Sequence, residues 1–165
     1  MDRLWTPWRY QYISAAGEAT GCIFCEKPAQ GADEENYIVH RSRHNYVILN
    51  AFPYTSGHVM VAPYKHVATL DDAGDETLLE MMLLVRGAVS CLKAVYRPDG
   101  VNLGMNLGKA AGAGVAGHIH MHVLPRWMGD ANFMTTVAET RVIPEDLNET
   151  YRKLKQAFDT ADMRQ

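Results

Sequence analysis

The stretch Gly117-His118-Ile119-His120-Met121-His122-Val123-Leu124-Pro125 decides how this chain is read. In a β-strand, side chains two residues apart point to the same face. A strand over residues 118–124 therefore puts His118, His120 and His122 on one face. Ile119, Met121 and Val123 fall on the other, toward a core. Packing alone does not select three imidazoles in a row, but two chemistries do. Alternating histidines can grip one metal ion from one side. An imidazole with a pKa of about 6.5 also keeps a lone pair at neutral pH, so it can attack phosphorus while a neighbouring histidine fixes its tautomer.

The residues before the histidines separate these chemistries. Gly104, Asn106, Gly108, Gly112, Gly114 and Gly117 precede them, and Lys109 is the only charge between residues 108 and 117. Backbone poor in side chains permits close approach, and its N–H groups can cradle phosphate oxygens. A glycine-rich loop joined to three histidines favours phosphate chemistry over simple metal binding.

Further out, residues 37–40 and 45–50 are β-rich, and residues 58–62 resume a strand after the turn-forming Pro53-Tyr54-Thr55-Ser56-Gly57. The strands on either side of that turn read as neighbours in one sheet. Residues 71–96 read as a long helix that opens on Asp71, Asp72, Asp75 and Glu76, where negative charge suits the dipole. Its Leu78, Leu79, Met82, Leu83, Val85, Val89 and Leu92 recur near helical spacing and read as a core face. Residues 101–106 form a further strand, and residues 144–158 a C-terminal helix. Trp5, Trp8, Tyr10 and Tyr12 make residues 1–20 an aromatic arm expected to pack on the body or on a second subunit. The fold class is α+β: a mostly antiparallel sheet of about five strands, one long helix and a shorter C-terminal one, in a single domain over residues 1–165.

Composition narrows the partners. Net charge is −3, which gives no global attraction to nucleic acid or to an anionic membrane. No run of about 18 apolar residues is present, so no membrane span is expected. The three cysteines are an odd count, which suits a reducing cytoplasm better than a disulfide framework. Cys22 and Cys25, in Cys22-Ile23-Phe24-Cys25, have the spacing of zinc ligands. Cys91 reads as core, and His40 and His44 as surface or loop residues.

Several separated motifs, in order, resemble the histidine triad (HIT) superfamily of nucleotide hydrolases and transferases. They are Val47-Ile48-Leu49-Asn50, Gly57-His58-Val59-Met60-Val61-Ala62-Pro63, Gly104-Met105-Asn106-Leu107-Gly108 and His118 through Arg126. Leu4-Trp5-Thr6-Pro7-Trp8-Arg9, Pro53-Tyr54 and the segment from Pro125 to Phe133 are similar to the branch of diadenosine tetraphosphate phosphorylases (ATP adenylyltransferases).

The resemblance implies a role for each matching residue. His120 would be the nucleophile that carries the nucleotidyl group, with His122 and His58 supporting it and the phosphate oxygens. Asn50 would contact the ribose. Asn106 with Gly112, Ala113, Gly114 and Val115 would bind phosphate, and Ile48 and Met60 would wall the base. Cys22, Cys25, His66 and His118 would hold a structural zinc, with no organic cofactor. The substrate would be an adenine nucleotide or dinucleoside polyphosphate, and the protein a homodimer. Residues 112–115, just before the histidines, carry no side-chain amide, which fits inorganic phosphate as acceptor; no hydroxyl stands near Gly114, which the phosphorylase branch often has, so phosphate and water both remain open. Two alternatives stay beside the phosphorylase: a nucleoside phosphoramidase or hydrolase using the same histidine, and a non-catalytic, zinc-dependent nucleotide-binding module.

Overall fold

Apolar side chains on both faces of the central strands dictate a sheet covered on both sides. The computed structural model describes residues 21–130 and 143–162. Its strands are β1 (Ile38–Arg41), β2 (Asn45–Leu49), β3 (Val59–Pro63), β4 (Gly100–Met105) and β5 (Met121–Arg126). They form one antiparallel sheet in the order β1-β2-β3-β5-β4. Every residue of β2 and β3 is buried.

Position parity divides the core in two. Val47, Leu49, Val59, Val61 and Val123 face the long helix α2 (Asp75–Tyr96) and the C-terminal helix α3 (Leu147–Asp162), meeting Met81, Val85, Leu92, Leu154 and Phe158. Tyr46, Ile48, Met60 and Ala62 face the other way and close on Phe24. Phe24 belongs to a short helix, α1 (Ile23–Ala29), that the spacing of Cys22 and Cys25 does not foretell. A Pro28 carbonyl bond from Arg41 Nη2 (2.8 Å) and a Phe24 carbonyl bond from Tyr46 Oη (2.7 Å) pin α1 to the sheet.

Four expectations are corrected. The long helix starts at Asp75 rather than residue 71, because Thr69 Oγ1 donates to Asp72 Oδ2 (2.6 Å) and holds residues 69–72 in a turn. Its apolar stripe is only partly core: Leu79, Met82 and Leu83 are exposed, while Met81, Val85, Ala88, Cys91 and Leu92 are buried. The histidine strand starts at Met121, not at residue 118. The Ile119 N–H donates instead to the Val67 carbonyl (2.8 Å), so the chain leaves the ladder ahead of the β3–β5 pairing. The C-terminal helix runs Leu147–Asp162, later than residues 144–158. The aromatic arm, and the part of the branch motif at residues 131–133, lie outside the described residues.

Gly57 fixes the turn before β3. Its φ is +80°, and a Cβ there would come within 3.0 Å of Leu92 and Tyr96. Only glycine meets both demands, so the β2–β3 turn seats tightly on α2 and delivers His58 to the opposite face.

Candidate active site

Sheet register gathers the site. Ile48 pairs with Met60, Met60 with His122, and His122 with Gly104, so these four form one row across the sheet. The row lies on the face away from α2. The histidine segment keeps its alternation although it has left the ladder. Phe24 packs on both His118 and His120, at ring-centroid distances of 5.4 and 4.6 Å, and His120 meets His122 edge-on at 4.9 Å.

Hydrogen bonds fix the tautomers. The Tyr54 backbone N–H, which can only donate, lies 3.2 Å from His58 Nδ1. Asn50 Oδ1 accepts the Phe52 N–H (2.9 Å), which turns the amide nitrogen of Asn50 toward the same His58 Nδ1 at 3.4 Å. His58 Nδ1 is therefore an acceptor, and the neutral ring carries its proton on Nε2. That proton is donated to His122 Nδ1, 2.9 Å away. His122 in turn carries its own proton on Nε2. His120 has the opposite tautomer: its Nδ1 lies 2.9 Å from the His118 carbonyl and donates to it, leaving Nε2 with a free lone pair.

The surroundings keep these rings neutral. Burial, then the neighbouring His122 and His120, pushes His58 down to about 3. Burial and His120 push His122 down to about 4. Burial lowers His120 as well, opposed by its bond to the His118 carbonyl. A neutral His120 is what a nucleophile needs.

The loop between β4 and β5 begins beside this row, since Met105 pairs with Met121 and Asn106 follows. A single turn of 3-10 helix, Lys109–Ala111, ends at Gly112 in the left-handed region. Gly112, Ala113, Gly114 and Val115 are partly buried, and Val115 packs on the Phe24 cluster. Ile48 and Met60 are 2 % and 6 % exposed and belong to that same cluster. Asn50 is buried, with its amide turned to Phe52 and His58. Sequence reasoning missed two contributors, the Tyr54 backbone N–H and the Phe24 ring. Pro53-Tyr54 was visible as a motif, but nothing local told that its amide serves His58. Cys91 is buried against the core, and His44 pairs with Glu76 on the surface. His40, expected at the surface or in a loop, instead lies half-buried in β1 and stacks on Phe158, 5.3 Å between ring centroids.

The structure brings together all four expected metal ligands. One donor atom from each of Cys22, Cys25, His66 and His118 lies within 4.8 Å of every other. Cys22 Sγ and Cys25 Sγ stand 3.3 and 3.5 Å from His118 Nδ1, and Cys25 Sγ stands 3.3 Å from His66 Nδ1. A tetrahedral zinc with bonds of about 2.3 Å to sulfur and 2.0–2.1 Å to nitrogen implies an S···N edge of about 3.5 Å. His118 Nε2 donates to the Pro63 carbonyl (2.8 Å), which leaves Nδ1 unprotonated toward the cluster, as ligand histidines require. The residues fit a closed, tetrahedral metal site that ties α1 to the histidine segment.

The architecture recurs in known proteins. The HIT domain matches residues 32–128. The chain is 42 % identical over 161 residues to the AP-4-A phosphorylase of Mycobacterium tuberculosis, covering 93 % of this chain and 83 % of that protein. It superposes on a Zn-bound histidine triad family protein from Mycobacterium smegmatis with a TM-score of 0.70 and 31 % identity, covering 88 % of this chain and 98 % of that one. A histidine triad nucleotide-binding protein from Sulfolobus tokodaii gives 0.69 at 27 % identity, over 86 % of this chain and 94 % of that one. With family match, sequence identity and fold all in agreement, the chain belongs to the HIT domain family.

Proposed function

We propose that this protein is a nucleotidyl transferase that cleaves dinucleoside polyphosphates as a diadenosine tetraphosphate phosphorylase, through a covalent nucleotidyl group on His120. The observation that carries the reading is the bond from His120 Nδ1 to the His118 carbonyl, which leaves Nε2 as the free lone pair. The similarity to a protein named AP-4-A phosphorylase, over most of both chains, supports the substrate class.

The chemistry follows from the tautomers. His120 Nε2 attacks the α-phosphorus and forms a P–N bond while the P–O bond to the leaving polyphosphate breaks. The adenylylated ring is cationic, and its Nδ1–H faces the His118 carbonyl, which stabilises that charge. His122 Nε2–H is free to donate to a phosphate or leaving-group oxygen, because His58 occupies its Nδ1. In the second step an oxygen of inorganic phosphate attacks phosphorus and the P–N bond breaks. Diadenosine tetraphosphate and phosphate would then give ADP and ATP. Asn106 and the backbone of residues 112–115 hold phosphate oxygens, Asn50 contacts the ribose as well as orienting His58, and Ile48 and Met60 form the floor beneath the base.

Cys22, Cys25, His66 and His118 would hold a zinc ion whose role is to fix α1 against the histidine segment. Burial, Cys22 and Glu26 push the Cys25 thiol up to about 11, so a cation is the natural partner for a thiolate there. A homodimer is supported by the open edge of β4, where Leu103 is 49 % exposed, and by Leu79 and Met82 on α2, 65 % and 50 % exposed. Among the described residues no helix is long and apolar enough to cross a membrane. An odd count of three cysteines suits a cytoplasmic setting better than a disulfide framework.

Product analysis on diadenosine tetraphosphate tests the reading. ADP plus ATP, formed only when phosphate is supplied, supports the phosphorylase. AMP formed without phosphate would make water the acceptor. Unchanged turnover in His120→Ala would refute the covalent route.

A further inference from the structure

We infer that Phe24 is a positioning residue for His120: its ring packs face-on against the imidazole and holds Nε2 toward the phosphate site. This rests on the reading of His120 as nucleophile. Among the described residues, the imidazole has one hydrogen bond that fixes its tautomer, from Nδ1 to the His118 carbonyl, two residues back in its own chain. A single bond at one corner leaves the ring free to hinge about that bond. Two aromatic contacts remove this freedom. Phe24 lies over one face, 4.6 Å between centroids and 29° between planes, and His122 meets the ring edge-on at 4.9 Å and 73°.

Phe24 is itself held firmly. It is 1 % exposed and packs among Ile38, Tyr46, Ile48, Met60 and Ala62, so it presents no surface to a ligand. Its carbonyl accepts the Tyr46 hydroxyl, and Tyr46 is wholly buried. Cys22 and Cys25, two candidate metal ligands, flank it in sequence, and the ring also packs on a third, His118, at 5.4 Å. The cysteine cluster thereby sets where the ring sits, and the ring sets how the nucleophile points. A reacting atom displaced by about 1 Å can cost on the order of 100-fold in rate. Loss of the ring is therefore expected to act on the chemical step rather than on substrate binding.

Phe24→Leu tests this, since it keeps most of the apolar volume and removes the flat face. Two readouts are taken on the whole protein. The first is turnover of diadenosine tetraphosphate with phosphate, where kcat is expected to fall 10- to 100-fold with KM within about twofold. The second is the ring nitrogen NMR spectrum of His120 at fixed pH. It is expected to show one neutral tautomer, protonated at Nδ1, in the parent protein and a mixture or broadened signals in the variant. Unchanged nitrogen signals would overturn the inference, as would altered signals with unchanged kcat. A fall confined to KM would overturn it too, because that would make Phe24 part of substrate binding. The nitrogen spectrum judges the packing without reference to activity. The His120→Ala variant judges the nucleophile reading by itself: if it turns over normally, that reading fails while the spectrum still decides whether Phe24 orients the ring.

Discussion

His58 Nε2 stands 2.9 Å from His122 Nδ1, and the Tyr54 backbone N–H donates to the far side of His58, so one main-chain amide sets the tautomers of two histidines in series. The relay leaves the His122 proton on Nε2 as a donor. It needs a donor at position 58, not a charge. His58→Gln, whose amide can still donate, is expected to keep at least a tenth of the parent kcat. His58→Leu is expected to lose about 100-fold, in the range of one general acid–base contact. Steady-state kinetics of the two variants, with folding confirmed by circular dichroism, decide the point. Equal losses would mean the hydrogen bond to His122 is unimportant.

The same pair makes stability pH-dependent. In the unfolded chain a histidine titrates near 6.5, whereas His58 and His122 in the fold are held down to about 3 and about 4. Below pH 6.5 the unfolded state therefore binds more protons than the folded one. Stability is complete above about pH 6.5 and falls as pH drops toward 4. Urea midpoints at pH 7.5, 6.0 and 5.0 should decline in that order, and less steeply in His58→Leu. A flat profile across this window would contradict the neutral pair.

Metal removal should be costly because the cluster joins elements far apart in sequence, with Cys22 and His118 96 positions from each other. The Cys22→Ser, Cys25→Ser double variant is expected to lose about one zinc per chain by elemental analysis. Its melting temperature should drop by about 10 °C, equivalent to about 3 kcal/mol for a domain of this size. Zinc retained in the double variant would show that the ion sits elsewhere.

Glu80 anchors the long helix to the turn between β1 and β2. Its carboxylate accepts from Ser42 Oγ, from the backbone N–H groups of Arg43, His44 and Asn45, and from Asn45 Nδ2, at 2.8–3.1 Å. Burial alone would raise its pKa, but these bonds outweigh burial and lower it. Glu80→Ala strands several donors and is expected to destabilise the fold by about 2–3 kcal/mol, with KM unchanged. Chemical denaturation measures the first and kinetics the second.

The exposed apolar residues on α2 should matter only between subunits. Leu79→Glu with Met82→Glu is expected to turn a dimer into a monomer in light scattering. A species of unchanged mass would remove α2 from the interface.

Much of the fold was legible because its signals are local. Strand alternation, the Pro53–Gly57 turn and the acidic start of α2 each follow from neighbouring residues, and all three appear within a few positions of where they were expected. Element edges were misjudged where distant groups compete for the backbone. Ile119 leaves the ladder because the Val67 carbonyl takes its N–H, and no property of residues 117–125 foretells that. Likewise, helical spacing marks Leu79, Met82 and Leu83 as apolar but cannot say which of them meets the sheet.

The sequence by itself determined the chemistry available: three alternating histidines, a loop of small residues before them, and a cysteine pair at ligand spacing. Those depend only on residue types and their order. Tertiary structure decided which nitrogen of each ring is free, because a tautomer is fixed by its hydrogen-bond partner. For His58 that partner is a backbone amide across a turn, and for His122 it is the His58 ring, just ahead of β3. It also drew Cys22, Cys25, His66 and His118 within 4.8 Å of one another and laid Phe24 on His120, contacts that exist only once the sheet has closed.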